Sequence, residues 1–130
     1  MVSSRALLLI NSFGFMVFGF LFLYWPKEAA YWVGIHVDSS SGLGDIRATY
    51  GGLQIGLGLY LLFCSLFPPA RLAGFLAATL AFGGLMIGRL AGILFDGMPD
   101  KISFGLLAVE ATGLLMNFAF LITSKGRERD

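Results

Sequence analysis

Four long apolar runs, Ala6 to Trp25, Ile46 to Phe67, Leu72 to Phe95 and Ile102 to Thr123, decide what this chain can fold into. Each matches the roughly 20 residues that a helix, rising about 1.5 Å per residue, needs to cross the hydrocarbon core of a bilayer. The runs are continuous, whereas the strands of a membrane barrel alternate apolar and polar positions over about 10 residues. With 57% hydrophobic and 13% charged residues, a chain of 130 residues has too much apolar surface to hide from water. The sequence therefore predicts an all-α integral membrane protein: one domain over residues 1–130, with four transmembrane helices in an up-down bundle.

The first run follows Arg5, as a secretory signal would, but it is too long and ends in the bulky Leu23-Tyr24-Trp25-Pro26. It lacks a small-x-small cleavage site and reads as a retained helix. Arg5, Arg71, Lys125, Arg127 and Arg129 fall on one side of the membrane, and Lys27, Lys101 and Arg47 on the other. Because cytoplasmic segments carry the excess of Lys and Arg, this distribution predicts a multi-pass protein of a bacterial inner membrane with both termini cytoplasmic. A formal net charge of +1 indicates no nucleic-acid partner, and the basic tail reads as a topology anchor. Cys64, the only cysteine, excludes an internal disulfide and reads as packing.

The longest connection, Pro26 to Gly44, predicts a short interfacial helix. Pro26 suits a first helical position, Lys27 to Ala30 continue it, and Tyr31, Trp32, Val33 and Ile35 supply an apolar side for the headgroup boundary. Ser39 to Gly44 reads as a flexible loop, with Asp45 as the N-cap of the second long helix. Pro68-Pro69 and Asp96 to Asp100 read as tight turns. Small residues four apart let membrane helices approach closely, and Gly52/Gly56 and Gly84/Gly88/Gly92 read mainly as such packing ridges. The lesser reading is that they make room for a ligand.

Charge inside a bilayer costs at least about 2.5 kcal/mol per group and calls for a partner or a purpose. Arg89 lies six residues before Phe95, and Glu110 eight residues after Ile102. These depths, about 9 and 12 Å from the same side, let the two meet. Arg47, Gly51, Gln54 and Gly58 follow helical spacing on one face, with Tyr50 beside them. Ser103, Glu110 and Asn117 form a second polar line, and Asn117 matches Asn11 in depth from the opposite side. Asn11 and Asn117 read as a structural hydrogen-bonded pair.

The outer cluster of Arg47, Tyr50, Gln54, Arg89 and Glu110 has two readings. In one, Arg89 and Glu110 neutralise each other, with Gln54 completing their hydrogen bonds, and only fix helix register. In the other, the cluster is a pocket roofed by the Trp32 loop, where Arg47 and Arg89 attract an anionic or carbonyl-bearing head. Glu110 is then the candidate proton carrier, since burial favours a protonated carboxyl and a neighbouring arginine the ionised one. His36, with only Asp38 near it, makes no convincing metal site. There is no Ser/His/Asp or Cys/His set, the glycines lack the Lys-Ser/Thr ending of a phosphate loop, and no cofactor is called for.

The segment from Gly44 to Gly56, Gly-Asp-Ile-Arg-Ala-Thr-Tyr-Gly-Gly-Leu-Gln-Ile-Gly, together with Glu110, resembles the bacterial four-helix membrane proteins catalogued as domain of unknown function 4345. The resemblance covers nearly the whole chain. Its most specific part is carried by Arg47, Ala48, Tyr50, Gly51 and Gly52. It implies a fold and a membrane location and brings no established activity. The leading expectation is a protein that binds, or transforms, a lipid-soluble molecule at the outer cluster. The competing one is an accessory subunit that packs through its glycine faces against a larger membrane complex or a second copy. A proton or ion pathway is weaker, because beyond the cluster only Asn11 and Asn117 continue a polar route.

Overall fold

The computed structural model describes residues 3–127 and is all-helical. Helix α1 is Ser4–Tyr24, α2 is Pro26–Trp32, α3 runs continuously over Ser40–Leu66, α4 is Arg71–Asp96 after a 3₁₀ turn at Pro68–Ala70, and α5 is Lys101–Arg127. Helices α1, α3, α4 and α5 are long and apolar enough to cross a membrane. The exterior is apolar, unlike that of a soluble bundle, and several polar groups lie inside. Leu94 and Phe95 are more than three-quarters exposed, as lipid contact requires, whereas Asn11, Ser12, Glu110 and Asn117 are buried.

The short helix α2 forms where Pro26 and the following residues predict it, with Ala29 and Ala30 buried and Tyr31 and Trp32 outside. The start of α3 differs from expectation. Asp45 is not the cap: Ser39 accepts the Gly42 N–H on its hydroxyl at 3.0 Å, and the helix is already under way at Ser40. The Ser39 hydroxyl supplies the cap upstream, and Ile46, buried with Phe22, Ala29 and Ala30, anchors the second turn of the segment. Residues Ser40 to Gly44 are therefore helix, and the irregular link is confined to Val33 through Ser39.

A further feature had no sequence signal. Arg47–Gly52 is a π-helical turn, in which the Leu53 N–H reaches back five residues to the Ala48 carbonyl. Two consecutive glycines tolerate this wide turn and let it approach α1 closely. A Cβ built on Gly19 would lie 2.8 Å from the Gly51 carbonyl oxygen, and one on Gly51 would lie 3.1 Å from the Leu23 nitrogen. One heptad along, Ser12 donates to the Gly58 carbonyl at 2.7 Å. Here small residues bring two backbones together, as membrane helices without a hydrophobic driving force require.

The expected ridges are not the ones that pack. Cβ atoms on Gly56, Gly84 or Gly88 would meet nothing within 4 Å, and those on Gly52 and Gly92 only ordinary contacts. Close approach uses Gly19, Gly51, Gly58, Gly74 and Gly113 instead. Four-residue spacing marks a small face on a helix but carries no information about whether a neighbour covers it.

The helices pair as α1 with α3 and α4 with α5. Near the termini the two pairs share a core of Leu7, Leu8, Phe15, Leu61, Cys64, Phe75 and Ala78, with Phe75 stacked on Phe120. At the distal end the core consists of Phe22, Ala29, Ala30 and Ile46, with Phe18, Val33, Ile35, Val37 and Tyr50 against it. Among the described residues neither α4 nor α5 contributes to that second cluster, so the pairs part in the distal half.

Candidate functional site

The parting of the two helix pairs leaves a cleft of about 170 Å³ lined from all four long helices. Gly14, Phe15 and Phe18 come from α1, Tyr50 and Gln54 from α3, Leu85 and Arg89 from α4, and Leu106, Val109 and Glu110 from α5. Tyr50 is set by stacking on Phe22, with ring centroids 5.2 Å apart. Phe15 is set by Phe82 at 5.1 Å.

At the polar wall, Arg89 donates its Nε–H to both carboxylate oxygens of Glu110, at 2.7 and 2.9 Å. The Glu110 side chain is only 6% exposed and that of Arg89 27% exposed. Bonds of this length tie α4 to α5 within one helical hairpin. The geometry is not the fork-to-fork arrangement in which a guanidinium presents Nε and Nη to a carboxylate. Among the described residues Glu110 is the sole ion-pair partner of Arg89, and its hydrogen bonds use Nε alone. The Nη donors take no part in the hydrogen bonds to Glu110.

Arg89 also lines a second, wider hollow of about 500 Å³ at the distal end, with Val33, Gly34, Gly92, Ile93, Asp96 and Ser103 among its walls. Arg89 thus borders both this outer vestibule and the inner cleft. Val33 and Gly34 border this vestibule, and Trp32 does not. Trp32 itself lines a separate shallow hollow with Leu21, Trp25, Glu28 and Ala29, and the part of its loop that borders the vestibule is the turn that follows it. Gly34 takes φ 80°, a left-handed conformation that permits this turn.

The structure brings together Tyr50, Gln54, Arg89 and Glu110, and leaves Arg47 out. Arg47 donates its Nε–H to the Leu23 carbonyl at 3.1 Å, where a cation complements the carbonyl end of α1. Its helical stripe divides: Arg47, Gly51 and Gly58 face α1, whereas Gln54 and Tyr50 border the cleft. Gln54 completes no hydrogen bond to the ion pair among the described residues. Ser103 of the second polar line reaches the vestibule, Glu110 the cleft, and Asn117 the core. There the Asn11 amide donates to the Asn117 side-chain oxygen at 2.7 Å, and Asn117 donates to the Gly113 carbonyl at 2.7 Å. His36 packs edge-on against Tyr31 at 5.5 Å.

Sequence reasoning missed the apolar walls. Leu85 and Leu106 sit one helical turn from Arg89 and Glu110 respectively, so spacing around the charges would have found them. Gly14, Phe15 and Phe18 had no such signal, because only the divergence of the helix pairs uncovers that face of α1.

A family model described as a domain of unknown function, DUF4345, matches residues 3–121. The chain belongs to the DUF4345 family. That match takes in every residue lining the cleft, and the π turn of Arg47–Gly52 falls on the stretch that carries the family resemblance. The family brings no assigned activity, so function has to be argued from the cleft. No curated protein and no solved structure matches the chain.

Proposed function

We propose that this membrane protein binds a lipid-soluble molecule whose polar head occupies the distal cleft. The observation that carries this reading is the cleft beside an intramembrane ion pair whose arginine keeps its Nη donors unengaged by Glu110. A pair that served only to lock two helices would be expected in a dry interface. This one forms a wall of an open cavity, where intramembrane charge by default indicates function. Glu110 is the group through which a proton would pass to or from the bound head. The Asn11–Asn117 bond and the aromatic core close the route beyond it, which favours a dead-end site over a pore.

We place both termini, with Arg5, Arg71, Lys125, Arg127 and Arg129, on the cytoplasmic side of a bacterial inner membrane, so that the cleft lies in the outer leaflet. A second reading, an accessory subunit or a homo-oligomer, is favoured by the uncovered face of Gly84 and Gly88 on α4.

Native mass spectrometry of the detergent-purified protein, with lipid extraction, tests the binding reading in wild type, Glu110→Gln, Arg89→Ala and Gln54→Leu. Retention of a defined small molecule by wild type, and its loss from variants that keep their helical circular dichroism, is the expected result. An empty wild-type protein that migrates in a larger complex would overturn it in favour of the subunit reading.

A further inference from the structure

Resting on the cleft-binding reading, we infer that the head is an uncharged six-membered ring bearing carbonyl oxygens, and that it enters sideways from the bilayer between α1 and α5 at Gly14. The first argument is size. The inner cleft is about 170 Å³. An apolar protein cavity of about 150 Å³ takes one benzene ring, so the space suits a single substituted ring better than a phospholipid head with its glycerol.

Wall chemistry agrees. Phe15, Phe18, Leu85, Leu106 and Val109 offer flat and aliphatic surface. The polar wall is formally neutral, because the Arg89 charge is matched by Glu110 at 2.7 Å. An anionic head drawn toward Arg89 would also meet the Glu110 carboxylate, and a cationic head would meet the guanidinium. Three of the residues that line this mostly apolar cleft, Arg89, Gln54 and Tyr50, carry hydrogen-bond donors. Donors beside a matched ion pair select a neutral acceptor, for which a ring carbonyl is the compact form.

The route follows from exposure. Gly14 and Val109 both line the cleft and both lie on the outer surface of the bundle, Val109 at 62% exposure. A Cβ on Gly14 would meet nothing within 4 Å, so the backbone of α1 leaves an open passage there. An apolar tail can remain in the bilayer while the ring turns inward past this residue.

The test uses the full chain in phosphatidylcholine nanodiscs and measures binding above that of empty discs. The probes are a decyl-substituted benzoquinone and, in parallel, phosphatidylglycerol. The proteins are wild type, Gly14→Phe, which fills the passage, and Gly56→Phe, a substitution at another open glycine that does not line the cleft. Wild type and Gly56→Phe are expected to bind the benzoquinone saturably, and Gly14→Phe to lose that binding. Preference of wild type for phosphatidylglycerol would overturn the ring while leaving a cleft ligand in place. Equal binding by Gly14→Phe would overturn the lateral route, and retention of neither probe would overturn the inference together with the reading beneath it.

Discussion

Arg89 reaches from α4 to Glu110 on α5 with a single nitrogen, its Nε lying 2.7 and 2.9 Å from the two carboxylate oxygens. The pair lies within the apolar span and borders the cleft on one side, so removal of either partner leaves an unmatched charge in a medium that solvates it poorly. Glu110→Gln or Arg89→Met is expected to lower stability by about 3 kcal/mol, the usual scale for breaking one half of a buried ion pair. The double variant Arg89→Met/Glu110→Met should recover much of that loss, since both charges are gone. Unfolding in mixed detergent micelles checks the cycle. Single variants as stable as wild type would show that the ion pair does not couple the two helices.

The α1/α3 crossing gives a contrast between glycines. At Gly19 a methyl group would collide with the Gly51 carbonyl oxygen at 2.8 Å and the Ile55 nitrogen at 2.9 Å, and backbone atoms have little freedom to yield. Gly19→Ala is therefore expected to cost about 1 to 3 kcal/mol, the range for overpacking a close contact. Gly84→Ala and Gly88→Ala add a methyl group to open space and should leave the thermal midpoint of the monomer unchanged or raised. If Gly84→Ala instead dissociates a complex in native gels, that face is an intermolecular interface.

What the amino-acid order disclosed, and what it hid, follows from the range of each interaction. Hydropathy located four spans because desolvation acts residue by residue along a run, and depth along a helix was enough to bring Arg89 to Glu110 and Asn11 to Asn117. Azimuth was harder. Arg47 shares a helical stripe with Gly51 and Gly58, but which helix that stripe meets depends on a close crossing set by Gly19 and Ser12 far away in sequence. The π turn at Arg47–Gly52 and the choice of Ser39 over Asp45 as cap are small local preferences settled by tertiary contacts of Ile46 and Leu23. The cleft depends on two helix pairs diverging, a global property with no local signature, and so its apolar walls were not legible.

The buried amide pair should behave differently from the ion pair. Asn117 is fully buried and bonded both to Asn11 and to the Gly113 carbonyl one turn below. Asn117→Leu removes a bridge between α1 and α5 without leaving a charge behind. The expected destabilisation is about 0.6 to 2 kcal/mol, the scale of interhelical amide bonds in membranes, with binding at the distal cleft retained. Unfolding and ligand-retention measurements on one preparation test both halves. Loss of binding from a stable Asn117→Leu protein would mean that the amide pair takes part in the site.

Outside the apolar spans, Asp100 provides a pH-dependent contact at the start of α5. Its carboxylate accepts the Ser103 N–H at 2.7 Å, and this bond, with a further contribution from the Ser103 side chain, holds the Asp100 carboxyl below its ordinary range. Because the folded-state value is lowered, the stabilisation is present above the unfolded value of about 3.9 and is lost as pH falls through the folded one. The first turn of α5 should therefore fray selectively below about pH 4, seen as faster amide exchange at Ser103 after correction for the intrinsic rate. Asp100→Asn retains an acceptor for the cap but has no titrating carboxylate, so its Ser103 exchange should lose the acid-dependent step. An unchanged acid step in Asp100→Asn would assign the fraying to another group.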